Sequence, residues 1–166
     1  MRFVILIVHR QECLCHTMLM SSALEATREL IVFVGLPASG KTTYYREHFA
    51  TTHMHVSKDL MPQARRRGDR QEREIGEALS AGRDVVVDNT NPTPAVRAPL
   101  IALGRRYGAR IIAYYFEATV KVCLTRNRQR EGKARVPDVA IFVTSKKLAP
   151  PTVAEGFDEV RLVSCA

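Results

Sequence analysis

Residues 30–42, Leu30-Ile31-Val32-Phe33-Val34-Gly35-Leu36-Pro37-Ala38-Ser39-Gly40-Lys41-Thr42, decide the fold of this chain. Leu30 to Val34 is a short, β-branched-rich apolar run of the kind that makes a strand buried on both faces, and Gly35 closes it. Gly35 to Thr42 fits G-x-x-x-x-G-K-[ST], placed after a predicted strand and opening a predicted helix, Thr42 to about Phe49. The glycines let successive backbone N–H groups curl around phosphate oxygens. The helix N-terminus adds partial positive charge. Lys41 is placed to reach the β- and γ-phosphates of a nucleoside triphosphate, and the Thr42 hydroxyl to ligate Mg²⁺. The bland alternative, an ordinary tight turn, leaves Lys41 and Thr42 without a reason.

Outward from this stretch, strand and helix patterns alternate. Met54 to Ser57 reads as a second strand. Pro62 to Ser80 reads as a helix with Ile75, Ala78 and Leu79 on one face, stopped by Ala81-Gly82. Asp84 to Asp88 is a third strand. Thr93-Pro94 caps and opens a helix to about Tyr107. Ala109 to Phe116 is a fourth strand, Val120 to Arg130 a helix, Pro137 to about Lys147 another, and Glu159 to Val163 a last strand. Such alternation predicts an α/β fold of three layers, a parallel sheet of about five strands with helices on both faces.

The length of 166 residues suits one domain. A hydrophobic fraction of 46% excludes a disordered chain, and no apolar run approaches the ~20 residues of a membrane span. The formal charge is +8, and 19 of the 25 basic residues are Arg, which points to an anionic partner. Four cysteines without paired C-x-x-C spacing suggest a reduced, cytoplasmic protein, nuclear if the source is eukaryotic. Cys13-Leu14-Cys15-His16 is an incomplete metal clip. Residues 1–28 read as a leader, with Met20 as the expected start of translation, and 29–166 as the folded domain. His53 and His55 share one face of a short strand with no third ligand nearby, and read as surface or core residues.

Two aspartates end predicted strands, where ligands bind in open α/β sheets: Asp59 in Ser57-Lys58-Asp59, and Asp88 in Asp88-Asn89-Thr90-Asn91-Pro92. A hydroxyl attacking a γ-phosphate needs a proton acceptor and a positioning group, and two carboxylates beside the loop supply both. Helix capping is the competing reading for each.

Together, Val34 to Thr43, Val56-Ser57-Lys58-Asp59 and Val87 to Pro92 resemble the kinase domain of polynucleotide 5′-hydroxyl kinases. Cys123 to Arg130 is similar to that family's R-N-x-x-R lid element, and Ala149 to Phe157 to the closing segment of its animal kinase–phosphatase members. The resemblance covers about Leu30 to Val163. It implies a nucleoside-monophosphate-kinase-like P-loop fold with a small helical lid, about 126–147. It implies ATP and Mg²⁺ held by Gly35, Pro37, Ala38, Ser39, Gly40, Lys41, Thr42, Thr43 and Arg126, with Thr42 and Asp88 toward the metal. Asp59 becomes the general base, and Asp88 orients the hydroxyl or holds a Mg²⁺ water. Lys41, Arg126 and Arg130 stabilise the transferring phosphoryl group. Asn89, Thr90 and Asn91 fall on the acceptor side. The family usually has Arg where this chain has Lys58, and phage members have an acceptor-binding Arg where it has Pro62. Arg65, Arg66 and Arg67 are the substitutes at hand.

Arg126 and Arg130, four apart, share a face if the helix continues through both, with Arg128 opposite. The cluster Arg65 to Arg73 suits a phosphodiester backbone, or a solvated helix face offset by Asp69, Glu72, Glu74 and Glu77. No aromatic residue interleaves it, so base stacking is weakly supported. The expected function is transfer of the ATP γ-phosphate to the 5′-OH of DNA or RNA. The alternatives are a small-molecule kinase or a non-catalytic, ATP-gated nucleic-acid-binding module. No D-x-D phosphatase motif occurs, so a separate phosphatase or ligase is the expected partner in end repair.

Overall fold

A computed structural model describes residues 28–61 and 65–164. The leader call, apart from residue 28, and the Pro62 position lie outside the described residues, as do Cys13, Cys15 and Cys165. Five strands form one sheet: β1 (Glu29–Gly35), β2 (His53–Val56), β3 (Asp84–Val87), β4 (Arg110–Glu117) and β5 (Glu159–Ser164), in the order β2-β3-β1-β4-β5. Every pairing is parallel. The five α-helices are α1 (Lys41–His48), α2 (Arg67–Ser80), α3 (Pro94–Arg106), α4 (Val120–Arg128) and α5 (Asp138–Lys147). The expected α/β fold is therefore the observed one, with β1 in the middle of the sheet.

A parallel sheet must be covered on both sides, and alternate residues of β1 divide between two cores. Leu30, Val32 and Val34 join Ile75 and Leu79 of α2 and Leu100 and Leu103 of α3. Ile31 and Phe33 face the other way, toward Tyr45 of α1, Tyr114 and Phe116. Phe33 sits edge-on to Phe116 with ring centres 4.9 Å apart, a favoured aromatic geometry. A third cluster of Leu36, Ala38, Cys123 and Ile141 seats the α4–α5 pair on the loop after β1. Gly104 sets the approach of α3, because a Cβ there would meet Leu30 and Ile111 side-chain carbons at 2.9 Å.

Helix starts follow local chemistry. Thr93 and Thr119 cap α3 and α4, each side chain accepting from the backbone N–H three residues on. Several boundaries differ from the sequence expectation, among them the start of α2, at Arg67 rather than Pro62, and the end of β3, at Val87 rather than Asp88. Strand β2 stops at Val56, and Ser57 caps the one-turn helix that follows, its hydroxyl accepting from the Asp59 N–H. Helix α4 stops at Arg128, because the buried Asn127 pulls the following chain back: its amide accepts from Val136 N–H at 3.1 Å and donates to Val136 C=O at 2.7 Å. Arg130 thus lies beyond the helix, and the expectation that it shares a helical face with Arg126 does not hold.

Candidate active site

The loop between β1 and α1 wraps the start of the helix. Gly40 adopts φ +103°, a conformation that costs glycine little, and Ala38 sits at φ +61° with its methyl packed in the third cluster. Lys41 is 7% exposed. Its ammonium donates to the carbonyls of Leu36 (2.6 Å) and Gly35 (3.1 Å) and to Ser39 Oγ (3.2 Å), so the loop is pre-shaped around a buried cation. The Gly35 N–H donates to Thr90 C=O, fastening the loop to the segment after β3.

Across from this loop, Thr42 Oγ1 donates to Asp88 Oδ2 at 2.6 Å, and His55 Nε2 lies 3.0 Å from the same oxygen. Burial pushes the Asp88 carboxyl up, but the hydrogen bonds from His55 and Thr42 and the Lys41 charge outweigh it and hold the group below its ordinary value. Asp88 is therefore a carboxylate at neutral pH. Adjacent ligands in an octahedron with arms of ~2.0–2.1 Å stand ~2.9 Å apart, close to the 2.6 Å between Thr42 Oγ1 and Asp88 Oδ2. The pair fits Mg²⁺, which takes one or two protein oxygens and completes its shell with phosphate and water. Among the described residues, no group of three or more His, Cys, Asp or Glu could hold a metal on its own.

The other candidates divide by what they touch. Asp59 lies in a one-turn 3₁₀ helix, Lys58–Leu60, directly after β2. Its side chain is exposed, and among the described residues none hydrogen-bonds its carboxylate. Ser57 ties the two aspartates together, its hydroxyl donating to Asp88 C=O at 2.8 Å while accepting from Asp59 N–H at 3.3 Å. Asn89 accepts from Lys58 N–H and donates to Gln71 of α2, so its amide joins the segments after β2 and β3 to α2. Asn91 is 2% exposed and donates to Phe33 C=O, with φ +42°. Asn89 and Asn91 thus spend their side-chain amides on the scaffold, while Asp88 meets the phosphate loop through Thr42 and Asp59 stays exposed.

The arginines divide in the same way. Arg126 and Arg130 both line a cleft of about 650 Å³ above the loop, with Ser39, Gly40, Thr43 and Tyr44. Arg126 also donates to Ser39 C=O at 3.3 Å. Arg128 is exposed. On α2, Arg70 pairs with Glu74 at 2.8 Å, while Arg66 and Arg73 stand 3.8 Å from Asp69 and Glu77. Arg65, Arg66 and Arg67 are all exposed at the start of that helix.

Two structural residues escaped the sequence reading. Arg97 has no exposed surface, and it donates to both Glu155 oxygens and to the carbonyls of Asn91 and Ala149. An arginine inside the apolar run Val96 to Ile101 was its one visible signal. His55, read as a surface or core residue, in fact touches the Asp88 carboxylate. The alternation of His53 and His55 about Met54 indicated a shared face, but not what that face meets.

These features agree with the comparisons. Residues 30–150 match the family model described as AAA domain (AAA_33). The chain belongs to this family of P-loop kinase-like domains. It is 27% identical over 140 residues to the bifunctional polynucleotide phosphatase/kinase of Schizosaccharomyces pombe, covering 82% of this chain and 33% of that protein. It is 26% identical over 144 residues to a putative bifunctional polynucleotide phosphatase/kinase of Acanthamoeba polyphaga mimivirus, with the same two coverages. The chain spans about a third of the length of these curated relatives. The crystal structure of a fungal RNA kinase superposes with a TM-score of 0.67 at 16% identity, over 84% of this chain and 39% of that one, a likeness of fold. The P-loop fold implies ATP binding. Among the described residues, no helix is long and apolar enough to cross a membrane.

Proposed function

We propose that this domain transfers the γ-phosphate of ATP to a hydroxyl acceptor, the 5′-OH of DNA or RNA. The observation that carries the reading is the hydrogen bond from Thr42 on the phosphate loop to Asp88 directly after β3, with Asp59 tethered to Asp88 through Ser57. A phosphate-side group and two acids are thereby gathered at the carboxyl ends of neighbouring strands.

Each residue has a task in an in-line transfer. The N–H groups of the loop and Lys41 bind the β- and γ-phosphates, Lys41 exchanging its loop carbonyls for phosphate oxygens. Thr42 and Asp88 are the groups that would hold Mg²⁺, directly or through a water. A bound Mg²⁺ would supply neutralisation of charge on the phosphate oxygens. Asp59, exposed and unencumbered, accepts the proton of the attacking hydroxyl. Arg126 and Arg130 meet the charge that spreads over the phosphoryl oxygens, with α4–α5 acting as the lid. Arg65, Arg66 and Arg67 offer the acceptor's phosphates a mainly electrostatic contact.

A second reading, a small-molecule acceptor, is favoured by the carboxylates that partly neutralise Arg66, Arg70 and Arg73 on their own helix. Incubation with labelled ATP and a 5′-OH oligonucleotide separates the readings. The proposal expects label on the oligonucleotide, lost in Asp59→Ala. Label entering only a small-metabolite pool would support the second reading. ATP-dependent oligonucleotide binding without transfer would indicate a binding module.

A further inference from the structure

We propose that His55 is a positioning residue, the second donor that keeps the Asp88 carboxylate aimed into the site beside the Thr42 hydroxyl. The inference rests on the ATP·Mg²⁺ reading above and adds to it a residue that neither the phosphate-loop motif nor the two-aspartate pattern contains.

The geometry begins at one oxygen. Asp88 Oδ2 has two side-chain partners, Thr42 Oγ1 at 2.6 Å and His55 Nε2 at 3.0 Å. The Asp88 side chain is 4% exposed and that of His55 21%. An ionised carboxylate only accepts, so the His55 tautomer facing it carries its proton on Nε2. A neutral imidazole is enough for this contact.

A hydroxyl carries one O–H and two lone pairs, so Thr42 can offer a lone pair to a cation and still donate to Asp88. A single hydroxyl on a short side chain leaves a carboxylate this buried free to turn about its χ2 torsion, and burying an unsatisfied charge is costly. His55 supplies a second donor that no cation competes for. Its ring stacks on Tyr45 at 4.0 Å between centres and 14° between planes. Tyr45 is fixed in turn by donating its phenol hydroxyl to His53 C=O at 2.8 Å. The imidazole is therefore clamped between α1 and β2, with its Nε2 edge against Asp88. Groups that hydrogen-bond a metal-binding carboxylate commonly change metal affinity ~10–100-fold when removed.

The test is equilibrium binding of a fluorescent ATP analogue with and without Mg²⁺, the ratio of the two dissociation constants being the metal linkage. His55→Phe keeps an aromatic ring on Tyr45 and deletes the donor. His55→Gln keeps an N–H at comparable reach. The expected result is an unchanged metal-free affinity in both variants, a linkage reduced about 10-fold in His55→Phe, and recovery in His55→Gln. Far-UV circular dichroism checks folding. If His55→Phe does not fold, His55→Asn, whose amide stops short of Oδ2, carries the same expectation. Wild-type linkage in the folded Phe or Asn variant would overturn the proposal. So would loss of metal-free binding, which would make His55 a scaffold residue of the loop. Absence of any Mg²⁺ effect in the wild-type protein would instead defeat the parent reading.

Discussion

Arg97 donates two hydrogen bonds of 2.7 Å to Glu155, one from Nε and one from Nη2, and its guanidinium has no exposed surface. The pair joins α3 to the segment after α5, and through Asn91 C=O and Ala149 C=O it braces the loop that follows Asp88. Removing one partner of a buried ion pair leaves the other charge uncompensated, at a cost of about 3–5 kcal/mol. Glu155→Gln should lower stability by that amount in urea denaturation. The double variant Arg97→Met/Glu155→Leu should recover much of the loss. A Glu155→Gln protein as stable as wild type would show that the pair does not hold the segment.

Asp59 is exposed and its carboxylate has no protein partner among the described residues. Asp59→Asn should therefore change stability by less than about 0.5 kcal/mol and leave ATP affinity intact. Transfer to the acceptor should fall about 10²–10⁴-fold, the range of general-base catalysis. Single-turnover rates beside melting curves separate the two effects.

Arg126 touches the phosphate loop at Ser39 and lines the cleft above it, whereas Arg128, two residues on, points to solvent. Arg126→Ala should slow transfer by about 10³-fold or more, and Arg126→Lys should restore little of it, because an ammonium lacks the planar fork. Arg128→Ala should behave as wild type in the same assay. Equal losses from the two substitutions would point to bulk electrostatics instead.

Asp158 accepts from Arg105 through both oxygens, at 2.7 and 3.0 Å, and from the Ile111 N–H at 2.7 Å. The Arg105 hydrogen bonds, ahead of the opposing effect of burial and helped by the Ile111 N–H and the Arg110 charge, hold its carboxyl below the ordinary value. A folded-state pKa below the unfolded one contributes stability above the unfolded value, near 3.9, and loses it as pH falls through the folded value. At pH 7, Asp158→Asn should be about 0.5–1 kcal/mol less stable than wild type, because solvent screens the exposed pair. The gap should narrow below about pH 4, as measured by denaturation midpoints across pH. A gap independent of pH would mean the carboxylate charge is not what stabilises.

The alternation of apolar runs with amphipathic segments was sufficient to place all five strands and all five α-helices, because a parallel sheet buried on both faces demands continuous β-branched runs between its crossovers. Strand order was less legible, since no residue in β1 announces that it pairs with β3 on one side and β4 on the other. The end of α4 was misjudged for a related reason. Asn127 looks like any polar helix residue until its amide is seen to hold the backbone of Val136, nine positions on.

The phosphate loop, the identity of its lysine and threonine, and the two strand-end aspartates were determined by local sequence, because each depends on backbone geometry within a few residues. Only the tertiary structure decided which polar groups gather beside the phosphate loop and which are spent on the scaffold. Asn89 and Asn91 turned inward to bind backbone and neighbours, Arg97 went fully under the surface, and His55 arrived beside Asp88, 33 residues away. Hydrogen bonds of that kind close only when distant strands come into register. A buried polar group must then find its partner wherever the fold places one.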